Sequence, residues 1–178
     1  MANAGKEFES DLKNSADKQG IYFYRIKDIP QIMLKANARV SQNDFDSFIY
    51  KYPNLFPIEL KSTGQKSISF NNKIIKKHQI QALKEASEFD GIIAGFIFNF
   101  REYDNFTCFI HINDFLEIQY LSQKQISKHR FKSKLNKSSI GLDICKEVGT
   151  ELHSEKKSKR YRYDVNKLLD EIIQKYQT

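Results

Sequence analysis

Residues 46–61 read DSFIYKYPNLFPIELK, and this stretch decides the fold. Two short apolar runs flank Tyr52-Pro53-Asn54, a turn composition, so the stretch reads as a pair of strands joined by a tight turn. Asp46 opens the first strand and Glu59-Leu60-Lys61 closes the second. Side chains alternate along a strand, so Glu59 and Lys61 share one face while Ile58 and Leu60 take the other, toward a core. Pairing about the turn brings Asp46 near Glu59 or Lys61. Two carboxylates converging beside an ammonium form a divalent-cation site with a fixed positive charge next to it.

The chain on either side supplies the walls of such a site. Lys6–Lys18 has helical spacing, with Phe8, Leu12 and Ala16 as its inner side and Gly20 as its stop. Glu9 falls on or beside that stripe, either at its wet edge or in use. Residues 21–26, IYFYRI, read as a strand broken by Asp28 and Pro30. The segment 29–43 then stands away from the body and carries Lys35 and Arg39. After a polar connection with Gly64 and Lys66, a helix is expected from Asn71 to Glu88. Its stripe of Ile75, Ala82, Leu83 and Ala86 includes Gln79. A buried amide without a partner costs about 1–3 kcal/mol, so Gln79 should meet a polar group.

Residues 91–98, GIIAGFIF, form a continuous apolar run, as expected of a central strand covered on both sides. Phe106–Ile112 is its antiparallel partner across a turn at 101–105. Asn113 is placed to cap a helix over Asp114–Leu121. Asp164 caps a last helix with Val165, Leu168, Leu169, Ile172 and Ile173 inward. The fold class is α/β, with a central mixed sheet flanked by helices. The 178 residues, with few Gly and Pro, suit one domain.

The formal charge is +7, which points to an anionic partner, most simply nucleic acid, or else to a solvated basic surface. Between Ser122 and Leu142 the cations are Lys124, Lys128, Arg130, Lys132, Lys134 and Lys137, with no acid among them. A second group (Lys156, Lys157, Lys159, Arg160, Arg162) has Tyr161 and Tyr163 nearby. Single-sign clusters of this kind neutralise phosphates. Two cysteines, Cys108 and Cys145, make neither a disulfide framework nor a metal cluster. With no signal peptide and no apolar run of spanning length, a cytoplasmic protein is expected.

The ordered set resembles the PD-(D/E)xK nuclease superfamily and, more narrowly, the RecU-type Holliday junction resolvases of Gram-positive bacteria and their phages. Asn3-Ala4-Gly5 with Glu9 is similar to that family's N-terminal motif and helical acid. Asp46 resembles its first metal acid, and Ile58-Glu59-Leu60-Lys61 its Glu-x-Lys strand. His78-Gln79 and Asp90-Gly91-Ile92 also match. Ala4 stands where the family often has Arg, and the 29–43 segment is shorter than the family's protruding stalk. Asp46 is preferred to Asp44 because its spacing to Glu59 is the family's.

The resemblance implies a restriction-endonuclease-like core and a Mg²⁺-dependent endodeoxyribonuclease, with Mn²⁺ as a substitute. Asp46, Glu59 and the Leu60 carbonyl would hold the metal. Lys61 would orient or deprotonate water, or stabilise the phosphorane. Glu9 and Gln79 would assist, and Lys35, Arg39, Lys66, Lys128, Arg130, Lys132, Lys157 and Arg160 would contact DNA. It further implies a homodimer on branched DNA, and it admits a recombinase partner. The alternatives are a related nuclease for duplex or flapped DNA, and a DNA-binding recombination accessory protein with little cleavage.

Overall fold

The computed structural model describes residues 4–27 and 43–177. Helix α1 (Ala4–Lys18) leads into β1 (Tyr22–Arg25), and β2 (Ser47–Lys51) and β3 (Asn54–Thr63) form the hairpin. Short β4 (Ser67–Ser69) and α2 (Lys77–Ala86) connect to β5 (Gly95–Phe100), followed by β6 (Phe106–His111) and α3 (Ile112–Lys124). The C-terminal part holds β7 (Ser139–Gly141), α4 (Leu142–Val148), β8 (Thr150–Glu151), β9 (Ser154–Lys157), β10 (Arg160–Tyr163) and α5 (Val165–Tyr176).

The main sheet runs β1-β2-β3-β5-β6-β8. Only the β3–β5 pair in it is parallel, so the sheet is mixed. A parallel pair needs a long crossover, and here the crossover contains α2, which lies over β3. The sheet divides two cores. Toward α1 and α5 lie Phe8, Leu12, Ile58, Leu60, Ile97, Leu168 and Ile172. Toward α2, α3 and α4 lie Leu83, Phe96, Phe98, Phe115, Ile118 and Ile144. Phe96 packs against Phe98 with ring centres 5.3 Å apart and against Phe115 at 4.5 Å. Each such buried ring contributes roughly 1.5–3 kcal/mol. Gly95 sits where the strands crowd. A Cβ there would lie 2.3 Å from the Ile110 carbonyl oxygen and 2.7 Å from the Phe109 ring, so no larger residue fits.

The expected elements are present, with shifted edges. The strand within 91–98 is β5, moved toward Phe100, and all of its residues are buried. The helix expected from Asn71 starts only at Lys77. The Asn71 and Asn72 carboxamides accept the amides of Lys73 and Lys77, at 2.9 and 2.8 Å, and hold 71–76 in turns. Helix α3 starts two residues earlier than expected, and its cap is His111, whose Nδ1 accepts the Asn113 amide. The final helix is as expected: Asp164 accepts from Lys167 N, and Val165, Leu168, Leu169 and Ile172 are buried. Cys108 and Cys145 are free and buried. Among the described residues no helix is long and apolar enough to cross a membrane.

A buried polar chain ties the far end of β3 to the C-terminal hairpin. Arg101 donates to Ser62 Oγ, which bonds Asn99; Asn99 Nδ2 donates to Asn105 and Thr107; and Asn105 Nδ2 donates to Ser154 Oγ and Tyr163 Oη. The β9–β10 hairpin is also pinned to α1, where Asp11 accepts from Arg160 Nε at 2.5 Å and from Tyr161 N at 3.1 Å.

Candidate active site

The register Ser47↔Ile58 sets Asp46 directly opposite Glu59. Two bonds close the pair reciprocally. The Asp46 amide donates to Glu59 Oε2 at 3.1 Å, and the Leu60 amide donates to Asp46 Oδ2 at 3.0 Å. The acids are therefore held by backbone, without reliance on flexible side chains. Asp44 is exposed and takes no part in these bonds.

Glu59 Oε1 receives two further donors, Lys61 Nζ at 2.5 Å and Gln79 Nε2 at 2.6 Å. Lys61 reaches it because residues two apart share a strand face. Gln79 reaches it because the crossover places α2 over β3. The inward amide foreseen from the helical stripe thus has its partner. The Glu59 side chain is 1% exposed. Burial, then the neighbouring Asp46 charge, pushes its carboxyl up from the usual range to about 7, against the opposing pull of Lys61. Two acids that repel each other in a buried setting are the arrangement a divalent cation relieves. All the donors are hard oxygens, which suits Mg²⁺. Among the described residues no group of three or more His, Cys, Asp and Glu side chains could hold a metal. Asp46 and Glu59 would leave the remaining positions to water, phosphate and the Leu60 carbonyl.

Glu9 lies on α1, on the other side of the sheet. Its Oε2 accepts Arg25 Nε at 2.7 Å. Arg25 lies opposite Ser47, whose partner on β3 is Ile58, on the α1 side. The structure thus gathers Asp46, Glu59, Lys61 and Gln79 and seats Glu9 in the adjoining layer. Arg25 was not foreseen as part of this surround, although its parity with Phe23 in IYFYRI was a usable signal: both face α1.

The basic residues divide between the two layers. Lys128, Arg130 and Lys132 follow α3, anchored by Phe131 in the core beneath α2 and α3. Lys157 and Arg160 lie on the β9–β10 hairpin against α1. Lys128 and Lys132 are exposed. Arg130 is engaged by Asp114 at 3.1 Å and Glu117 at 2.7 Å, Arg160 by Asp11, and Lys157 by Glu155. Lys66, at the edge of β4, faces Asp143 at 3.5 Å with both side chains largely exposed. Lys35, Arg39 and nearly all of the expected protruding segment lie outside the described residues, as does Asn3.

The SPbeta prophage-derived uncharacterized protein YotM of Bacillus subtilis (strain 168) is 50% identical over 176 residues, covering 99% of this chain and 90% of the relative. The chain belongs to the YotM family. No protein-family model matches it. Among solved structures, the YotM-family fold is similar to that of Archaeoglobus fulgidus Hjc, a Holliday junction resolvase from an archaeal hyperthermophile. The TM-score is 0.50 at 16% identity, over 83% of this chain and 95% of Hjc. The architecture, a central mixed sheet flanked by helices, is thus restriction-endonuclease-like, as expected from the sequence.

Proposed function

We propose that this chain is a divalent-metal-dependent endodeoxyribonuclease that resolves four-way DNA junctions, a RecU-type resolvase acting as a homodimer. The observation that carries the reading is the reciprocal Asp46–Glu59 clamp with Lys61 on the same carboxylate. A purely structural hairpin gains nothing from burying an acid at a cost in ionisation, whereas phosphodiester hydrolysis uses this set. The Hjc-like fold supports the nuclease class.

Bound Mg²⁺ would supply Lewis acidity at the phosphate and a more acidic water. The residues of the chain do the rest. Asp46 and Glu59 hold two oxygens at fixed separation because backbone amides hold them. Lys61 is positioned to orient or deprotonate the attacking water, or to stabilise charge on the phosphorane. Gln79 fixes the orientation of the Glu59 carboxylate and so leaves Oε2 turned toward Asp46. Glu9, paired with Arg25, would act at the margin of the site. Lys66, Lys128 and Lys132 supply charge for phosphates, and Lys157 and Arg160 would do so by exchanging Glu155 and Asp11 for a phosphate.

The test is cleavage of a mobile four-way junction against linear duplex and flapped DNA, with Mg²⁺ or Mn²⁺. Paired symmetric nicks on the junction alone are expected. Equal cutting of duplex would replace the reading with a general nuclease. Binding without cutting would replace it with an accessory DNA-binding protein.

A further inference from the structure

Helix α1 carries an outer ridge that the cleavage chemistry does not use. Lys6, Ser10, Asn14 and Lys18 recur every fourth residue, away from the buried Phe8, Leu12 and Ala16. A row of this spacing winds slowly about its helix, so the ridge passes from the β1 side of α1 to the β9–β10 side. Two cavities of about 400 and 450 Å³ flank it, and Ser10 and Asn14 line both. One opens between α1 and β1, over Phe23 and Arg25. The other opens between α1 and the hairpin, beside Arg160 and Arg162. Together they make a trough across the helix. Three cations line the first and four the second, against one acid in each, Glu9 and Asp11. Those acids already hold Arg25 and Arg160. Lys6, Lys18 and Arg162 are exposed and have no acid partner among the described residues.

The middle of the ridge is short and polar, so a phosphate chain can approach the helix while the end cations reach over it. Phe23, at the floor, is 5% exposed and offers little apolar surface. Sugar–phosphate backbones are contacted by Lys and Arg and by short hydroxyl and amide side chains, whereas the centre of a protein interface is aromatic and poor in charge. Lys6 and Lys18 stand twelve residues apart, about 18 Å along the axis, which is the rise of about five base pairs.

We propose that this trough seats the backbone of a second duplex arm, so that one chain grips branched DNA from both layers of its sheet. The other grip is Lys128 and Lys132, exposed beyond α3 in the opposite layer. The two surfaces are separated by two helix widths, about 20 Å, and by the sheet between them. Duplex DNA is stiff over about 150 base pairs, so one straight arm does not reach both. A linear duplex uses one surface at a time. A branched molecule meets both at once, and its second contact gains from the first as an intramolecular event. Preference for branched DNA is thereby set within a single chain, by shape and without base contacts. Only the use of this grip in cutting rests on the nuclease reading; the grip itself does not.

The experiment uses the full chain carrying Glu59→Gln, in chelator, with anisotropy of a labelled four-way junction and of a linear duplex at the same salt. This parent should bind the junction at least about tenfold more tightly than the duplex. Lys6→Ala/Lys18→Ala/Arg162→Ala should abolish that preference, lowering junction affinity by at least about tenfold. Its affinity for linear duplex should fall no more than about threefold, because the α3 surface still accepts one arm. Circular dichroism and the thermal midpoint should be unchanged, since all three side chains are exposed. A single Arg162→Gln variant, measured beside it, should give a partial loss on the junction alone. A triple variant that keeps the preference overturns the proposal. So does one that loses junction and duplex by the same factor, since the trough would then be general basic surface, and so does a parent that binds neither DNA. If the chain with Glu59 intact cuts no DNA in Mg²⁺ while the triple variant still abolishes the preference, the nuclease reading fails and the two-sided grip stands.

Discussion

Gln79 Nε2 donates to Glu59 Oε1 across 2.6 Å, joining the crossover helix to the acid strand beneath it. Gln79 is buried, and its Oε1 also accepts the Lys76 amide at 3.3 Å. Gln79→Leu removes both bonds while keeping the volume. It should cost about 1–2 kcal/mol of stability and lower cleavage by at least about tenfold, because only the Asp46 amide and Lys61 then hold the Glu59 carboxylate in orientation. Denaturant unfolding and single-turnover cleavage read the two effects separately.

Glu59 makes apo stability fall with pH. Its carboxyl is raised in the folded chain to about 7, so the folded state holds a proton that the unfolded state releases above the ordinary value. The contribution is fully present below about pH 4.5, declines as pH rises toward 7, and is lost above it. The span is roughly 3 kcal/mol. In chelator, Glu59→Gln should therefore be more stable than wild type at pH 8, with the difference vanishing at pH 4.5. Adding Mg²⁺ at pH 8 should stabilise wild type and leave the variant unchanged. Urea titrations at the two pH values decide it.

Lys61 separates chemistry from binding. Lys61→Met keeps the aliphatic stem and removes the charge from Glu59. Cleavage should fall by at least about a hundredfold, as expected for loss of one electrostatic or proton-transfer group. Junction affinity at fixed salt should change less than threefold, roughly the effect of a single phosphate contact. Unaltered cleavage would remove Lys61 from the reacting set.

Salt dependence should distinguish Lys128 and Lys132 from Arg130. Lys128 and Lys132 are exposed, whereas Arg130 is held by Asp114 and Glu117. Replacing both lysines by Ala should flatten the slope of log affinity against log salt by about 2. Arg130→Ala should change it by less than one, because the guanidinium is already neutralised. Fluorescence anisotropy with a labelled junction, using Glu59→Gln to prevent cutting, measures both.

The opposition of Asp46 and Glu59 was legible because it needed only a turn and the alternation of a strand. So were α1 and α5, whose apolar spacing is regular, and Gln79, the one amide in a helical stripe. The delayed start of α2 was hidden because Asn71 and Asn72 take up amides that a helix would use, and apolar spacing does not register that. Helix α4 is too short to show a period. The β9–β10 hairpin, built from SEKK and RYRY, has no apolar alternation, and its anchor, Asp11, lies almost the whole chain away. Local sequence reports local preference, and these elements are fixed by distant partners. The same holds for Arg130, whose free appearance in a basic run concealed two acids on α3.

The amide chain from Ser62 through Asn99 and Asn105 to Tyr163 has one further meaning. A greasy seam can slip by a residue and still be greasy, but a row of matched donors and acceptors cannot. The hairpin bearing Lys157 and Arg160 is consequently indexed to the strand bearing Glu59 and Lys61, like a toothed coupling between a handle and a blade. If the proposed nuclease activity holds, a strand of nucleic acid gripped by the hairpin would lie at a fixed distance from the acid pair, and the position of the break would be set by a ruler rather than by base letters.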